Sequence, residues 1–177
     1  GITGTNGKTS IAWMLESMAL AAGQQAAVLG TTGHRIAGRS RSARHTTPEA
    51  PVVQQILSEA LRGGCTVAAM EVSSIGLALR RVDAIPFSVG IFTNLSQDHL
   101  DFHGDMDRYL AAKSRLFEEL MARDGTAILN GDSEAQRGIV PRCARTWRFG
   151  SGPGHEIRLG THELNLLGCR AEVTTPL

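Results

Sequence analysis

The sequence predicts an α/β domain: a mostly parallel sheet with helices on both faces, three layers deep, with an antiparallel extension towards the C-terminus. Three observations carry this. The chain opens on a glycine-rich turn that runs straight into a helical pattern, Gly1-Ile2-Thr3-Gly4-Thr5-Asn6-Gly7-Lys8-Thr9-Ser10. Short apolar runs then alternate with helix-length segments, the runs being 26–30, 66–72 and 87–94. From Arg145 onward the texture changes to short alternating segments, 146–149, 156–158 and 170–173, which read as antiparallel strands at the far edge of the sheet.

The opening turn has the chemistry of a phosphate cradle. Glycines let backbone N–H groups turn inward without Cβ clashes, and the following helix adds free N–H groups and the positive end of its dipole. Lys8 would reach the terminal phosphates and the Thr9 hydroxyl would ligate Mg²⁺. The generic P-loop has a glycine where this chain has Ile2; the nearer glycine is Gly4, so the loop is a tighter variant containing Thr3 and Thr5. The bland reading is a glycine-rich turn beside a surface lysine. Ile11, Met14, Leu15, Met18 and Ala22 recur at helical spacing, and Gly23 is a stop signal. No strand precedes the loop and no initiator Met is present, so the chain is expected to be a piece of a longer protein.

At 177 residues the chain can bury one good core, and its net charge of +1 argues against a general nucleic-acid or membrane electrostatic role. No apolar run approaches the ~20 residues of a membrane span, and no signal peptide is visible. Cys65, Cys143 and Cys169 are scattered and unpatterned, which fits a reducing cytoplasm and neither a zinc site nor a disulfide framework.

Along the chain, 26–30 reads as a buried strand ending in Thr31-Thr32-Gly33. His34, Arg35, Arg39, Arg41, Arg44 and His45 then sit among Gly and Ser, as a solvated basic loop or hairpin or as the flank of an anionic ligand. Without interleaved aromatics a nucleic-acid arm is disfavoured. Thr46-Thr47-Pro48-Glu49 reads as a helix start with Thr47 as N-cap, the helix continuing through Val52, Val53, Ile56, Leu57 and Leu61. Residues 66–72 form an apolar strand with one acid, Glu71, near the end where open α/β sheets bind ligands. In P-loop proteins an acid there holds Mg²⁺; the alternative is an edge carboxylate satisfied by a neighbouring cap.

The strand at 87–94 runs into a polar cluster, Leu95-Ser96-Gln97-Asp98-His99-Leu100-Asp101-Phe102-His103-Gly104. The spacing of His99 and His103 lacks a clear helical period, so one imidazole aimed at a Mg²⁺–phosphate site is favoured over zinc. Met106, Tyr109, Leu110, Lys113, Leu116, Phe117 and Leu120 form one helical stripe with a lysine in its middle. Lys113 either snorkels or pairs, or its desolvated neutral amine reacts with CO₂ to give a carbamate able to ligate Mg²⁺. Asn130-Gly131-Asp132 closes a further strand with polar groups suited to a base or ribose.

Taken together, Gly4-Thr5-Asn6-Gly7-Lys8-Thr9, Thr46-Thr47-Pro48, Glu71-Val72-Ser73-Ser74 and residues 93–104 resemble the central, ATP-binding domain of the Mur ligase family over nearly the whole chain, 1–177. Within the family the likeness is to the branch that extends UDP-N-acetylmuramoyl-L-alanyl-D-glutamate. The resemblance implies an ATP-dependent amide-bond ligase of peptidoglycan precursor synthesis that adds a diamino acid through an acyl phosphate. It implies ATP and Mg²⁺ as cofactors. Gly4, Thr5, Asn6, Gly7, Lys8, Thr9 and Ser10 would hold the phosphates and Asn130 the adenine. Thr9, Glu71, His99 and an N6-carboxylated Lys113 would serve the metal, with Lys8, His99 and Lys113 catalytic. Thr46, Thr47, Ser73 and Arg81 would touch the UDP-muramyl dipeptide. Ile75 and Leu79 depart from the family pattern, where His and Gln are common. Also implied are a cytoplasmic, monomeric enzyme and flanking domains for the uridine end and the incoming amino acid. A folylpolyglutamate-type ligase and a P-loop ATPase or switch are the alternatives.

Overall fold

The computed structural model describes residues 1–166 and 168–176; Leu167 and Leu177, which the one-domain expectation also covers, lie outside the described residues. The elements are β1 (Ile2–Thr3), α1 (Lys8–Ala21), β2 (Gln25–Gly30), β3 (Gly33–Ile36), β4 (Arg39–Arg41), α2 (Ala50–Arg62), β5 (Cys65–Met70), α3 (Ser74–Ala78), β6 (Phe87–Phe92), α4 (Leu100–His103), α5 (Met106–Glu118), β7 (Met121–Asn130), β8 (Arg145–Gly150), β9 (Ile157–Asn165) and β10 (Gly168–Thr174). A 3₁₀ turn spans Glu134–Gly138.

A 4-stranded sheet, β4-β3-β2-β5, and a 6-stranded sheet, β1-β6-β7-β8-β9-β10, lie edge to edge. A parallel bridge between Ile2 and Glu71 joins them, with Glu71 N donating to Leu29 O at 2.8 Å and Val72 N to Ile2 O at 2.7 Å. A strand therefore does feed the glycine-rich loop, contrary to the sequence reading. Its two residues pair with Ile91 and Phe92 of β6, a stretch too short for periodicity to reveal. Below β1 the strands β5 and β6 flank a groove of about 450 Å³.

Side-chain alternation assigns the layers. Val28 and Ala69 point to one face, where they pack with Ile2 and with Ala12 of α1. Ala27, Leu29 and Met70 point to the other face, against Val53 and Ile56 of α2 and Leu116 and Phe117 of α5. The three-layer expectation holds. The stripe expected on α1 holds only in part: Ile11 and Leu15 pack against the core, but Ala12, Glu16 and Ala19 are the buried positions, while Met14 and Met18 are 57% and 65% exposed. Small residues let α1 lie close on the sheet, and Glu16 is held by Arg35 at 3.3 Å. The polar tilt of that face defeats a purely hydrophobic pattern.

Two further readings are corrected. Thr47 does not cap α2; the helix starts at Ala50 with Glu49 at the cap position and no side-chain cap, because the Thr47 hydroxyl makes tertiary bonds to Glu71 and Ser73 instead. The late strands are not all antiparallel. β8 runs parallel to β7 over Thr126–Asn130, β9 touches β8 in parallel at only Phe149↔Ile157 and Gly150↔Arg158, and only β9–β10 is antiparallel. The basic stretch after Gly33 forms the hairpin β3–β4.

α5 anchors the second half. Tyr109, Lys113, Leu116 and Phe117 are all buried along it, and Arg115 ties it to Asp83, Glu119 and the Leu77 carbonyl. Phe117 is fully buried under the sheet, and Phe117→Ala should cost about 3–5 kcal/mol of stability. Urea unfolding of the chain measures this; a loss below about 1 kcal/mol would mean the site collapses to fill the cavity.

Candidate active site

The glycine-rich loop leaves β1 and is laid along the carboxyl end of β6. Thr5 N donates to Asn94 O at 3.0 Å and Asn6 N to Asn94 Oδ1 at 2.9 Å. Thr93 Oγ1 donates to Asn6 O at 2.6 Å. Thr5 Oγ1 donates to Ser96 O at 3.1 Å and accepts from Ser96 N at 3.0 Å. A hydroxyl has one proton, so Tyr109, 3.2 Å from the same oxygen, donates to it. Gly4 is required here: at φ 136° an added Cβ would lie 1.9 Å from Thr93 Oγ1. Gly7, at φ 86°, is the N-cap position of α1, which has no side-chain cap. The first N–H groups of a 14-residue helix, beginning at Lys8, Thr9 and the exposed Ser10, thus face the loop, a geometry suited to an anion.

Two lysines meet at one carbonyl. Lys8 Nζ donates to Gly4 O at 2.9 Å and Thr5 O at 2.8 Å, and Lys113 Nζ donates to the same Gly4 O at 3.0 Å. Lys113 is 1% exposed, and its ammonium sits 4.3 Å from the centroid of the Tyr109 ring. Burial pushes its pKa from 10.5 down to about 7; Lys8 pushes the same way, and Asp98 pulls back. Burial lowers Lys8 as well, opposed by Glu71 and Asp98. Of the sequence-level readings of Lys113, snorkelling and a bonded ion pair both fail, because a carbonyl and a ring face are its partners.

Glu71 lies at the strand end, 1% exposed. Its Oε2 accepts from Thr9 Oγ1 at 3.0 Å and Thr31 Oγ1 at 3.1 Å, and its Oε1 from Thr31 N at 2.9 Å. Among the described residues no cationic side chain forms a salt bridge with it. A buried carboxylate lacking a bonded cation, with a threonine hydroxyl on its oxygen, has the hard-oxygen character that Mg²⁺ prefers.

The four residues expected at the acceptor also converge. Thr47 Oγ1 donates to Glu71 O at 2.9 Å and accepts from Ser73 N at 2.9 Å. Ser73 caps α3 by accepting from Gly76 N at 3.0 Å. Arg81 donates to Thr47 O at 2.9 Å and pairs with Glu49 at 2.5 Å. Thr46 Oγ1 lies 3.0 Å from Thr31 Oγ1. Asn130 donates to Thr93 O at 2.6 Å and accepts from Asp132 N, and it borders a cavity of about 640 Å³ with Phe149, Ile157 and His162. Asp132 is held down to about 2 by the Ser151 backbone N–H and by His155.

His99 stands apart. It is at φ 52°, its imidazole 3.5 Å from Asp98 and nearly perpendicular to the Tyr109 ring. No group of three or more His, Cys, Asp or Glu is gathered for a metal among the described residues. Of these two histidines the buried one is His103, 2.9 Å from Ser74 Oγ and tilted against the Tyr109 ring; burial pushes its pKa down, as do Lys113 and His99. The sequence reading missed Thr31, Thr93 and the Tyr109 hydroxyl. Thr31 and Thr93 stand just past or at the carboxyl ends of β2 and β6, the one signal that could have found them.

The family model for the Mur ligase middle domain matches residues 2–175. Over 161 residues, covering 89% of the chain, the sequence is 47% identical to the UDP-N-acetylmuramoyl-L-alanyl-D-glutamate–2,6-diaminopimelate ligase of Solibacter usitatus strain Ellin6076. It is 39% identical, over 100% of the chain, to the protein of the same name from Geobacter metallireducens. These matches take in 32% and 36% of the relatives, so the chain spans about a third of their length. A solved diaminopimelate-adding ligase of that name superposes with TM-score 0.83 at 26% identity, covering 98% of this chain and 36% of that one. The ADP complex of MurF ligase from Thermotoga maritima shares the fold, with TM-score 0.71 at 20% identity, covering 99% of this chain and 37% of that one.

The buried lysine generates a pH dependence. Below about pH 7 Lys113 is protonated whether folded or unfolded, and the full burial penalty applies. Between about 7 and 10.5 the unfolded chain binds a proton that the folded chain has released, so stability rises with pH across that window. Lys8, also lowered by burial, adds to the rise, and Lys113→Met should remove the Lys113 part of it and flatten the dependence. Urea midpoints of both proteins at two pH values inside the window test it; parallel wild-type and variant curves would contradict it.

Proposed function

The chain belongs to the Mur ligase family as a middle domain, and from that premise we propose that its parent protein is an ATP-dependent ligase joining a diamino acid to UDP-N-acetylmuramoyl-L-alanyl-D-glutamate. The relatives' printed names supply diaminopimelate as the amino acid proposed first. One observation carries the reading. Glu71 bonds the phosphate-loop Thr9 through its carboxylate and Thr47 of the acceptor turn through its main-chain carbonyl, so one residue spans the donor and acceptor halves of a phosphoryl transfer.

On this reading the loop N–H groups and the α1 N-terminus hold the ATP phosphates, and Lys8 leaves the carbonyls of Gly4 and Thr5 to meet the γ-phosphate. Asn130 flanks the adenine. Thr46, Thr47, Ser73 and Arg81 orient the muramyl dipeptide. Its glutamate carboxylate oxygen attacks the γ-phosphorus, ADP departs, and an acyl phosphate forms. The amine of the diamino acid then attacks the acyl carbon, phosphate leaves, and the ammonium proton is lost. Thr9, Glu71 and His99 would hold Mg²⁺, with Lys113 as a carbamate. When bound, the ion would neutralise charge on the transferring phosphoryl group. With its pKa near 7, Lys113 has a neutral amine fraction able to take up CO₂, giving a carbamate and a proton. The flanking domains, a monomeric state and a cytoplasmic location complete the proposal; no helix among the described residues is long and apolar enough to cross a membrane.

Phosphate release by the full-length protein with Mg·ATP tests the reading. Release should need both the muramyl dipeptide and the diamino acid. Equal hydrolysis without the dipeptide would leave a P-loop ATPase or switch. Lys113→Ala should lower the ligase rate by ~10²-fold or more, with partial recovery in added acetate, whereas a switch would hardly respond.

A further inference from the structure

We propose that Thr31 is a positioning residue that holds the Glu71 carboxylate and fixes the direction in which Thr46 presents its hydroxyl to the acceptor. The inference deepens the function proposed above and rests on it for the identity of the acceptor. Its geometry stands on the hydrogen bonds alone.

Thr31 follows the carboxyl end of β2. It grips both oxygens of one carboxylate, its N–H donating to Glu71 Oε1 at 2.9 Å and its Oγ1 to Oε2 at 3.1 Å. Gly30 makes this approach possible, since a Cβ at that position would fall 2.1 Å from Oε1. The same Thr31 oxygen lies 3.0 Å from Thr46 Oγ1.

Proton counting gives the chain a direction. A carboxylate only accepts, and a hydroxyl has one proton to give. The Thr31 proton is on Glu71, so Thr46 must be the donor in the Thr46–Thr31 bond. Thr46 therefore faces the acceptor with lone pairs alone. It reads an N–H or O–H of the bound molecule, such as a peptide amide, and gives no hydrogen bond to a carboxylate. The Thr9 proton is likewise on Glu71, which leaves the Thr9 lone pairs for a cation.

Thr31 is exposed and packs in no core, so removing its hydroxyl while keeping its shape should leave the fold intact. Two measurements on the full-length protein test the inference: Mn²⁺ binding in the presence of ADP, read by EPR without turnover, and kcat and KM for the muramyl dipeptide. Thr31→Val should weaken Mn²⁺ binding and raise KM for the dipeptide by roughly tenfold each. Thr31→Ser should restore both to within about twofold of wild type. Wild-type Mn²⁺ binding and KM in Thr31→Val would overturn the inference, as would a Thr31→Ser that behaves like Thr31→Val. If the wild-type protein ignores the dipeptide, the proposed function fails while the Mn²⁺ measurement still decides the role of Thr31.

Discussion

A carboxylate buried at the joint between two sheets organises this molecule. The main chain at Glu71 closes the gap between β5 and β1: Glu71 N donates to Leu29 O on one side, and the next N–H, of Val72, donates to Ile2 O on the other. Its side chain collects Thr9 and Thr31, and its carbonyl collects Thr47. A charge so placed would be costly if unpaired, and here three hydrogen-bond donors from two separate segments, Thr9 and Thr31, satisfy it. The price of that arrangement is a fixed geometry: the glycine-rich loop, the turn after β2 and the turn at Thr47 cannot shift independently.

The loop is shaped as much by its neighbour as by its own glycines. Thr93, Asn94 and Ser96 form a template on which Thr5 and Asn6 lie, and the Tyr109 hydroxyl reaches the same threonine from α5. The loop carbonyls, turned away from the helix N-terminus, gather the ammonium groups of Lys8 and Lys113. Positive charge is thus concentrated where a triphosphate would neutralise it. Repulsion between the two lysines adds to the burial that lowers the Lys113 pKa.

Much of the fold was legible because it follows period. Continuous apolar runs marked β2, β5 and β6, and the α5 stripe marked Tyr109, Leu116 and Phe117 as core, with Lys113 as the anomaly. Pattern failed where burial does not follow hydrophobicity. On α1 the close approach to the sheet selects Ala12 and Ala19 and tolerates Glu16 through Arg35, so the larger Met14 and Met18 face outward. At Thr47 a local rule for caps lost to tertiary bonds that no sequence window contains. In the site, glycine spacing and strand-end position exposed Lys8, Thr9 and Glu71. The role of Thr31 depends on contacts 15 and 40 residues away, and that of Thr93 on contacts 90 and 87 residues away, beyond any local signal.

The sequence by itself determined the layer order, the glycine-rich turn before α1, the acid at the strand end and the lysine in an apolar stripe, because each is encoded in spacing along one element. Tertiary structure alone decided which groups touch. It set Lys113 and Lys8 on one carbonyl, left His99 beside Asp98 while His103 was buried on Ser74, and ran β8 parallel to β7. Those outcomes depend on how elements distant in sequence pack, where desolvation, a single hydroxyl proton or a missing Cβ settles the partner.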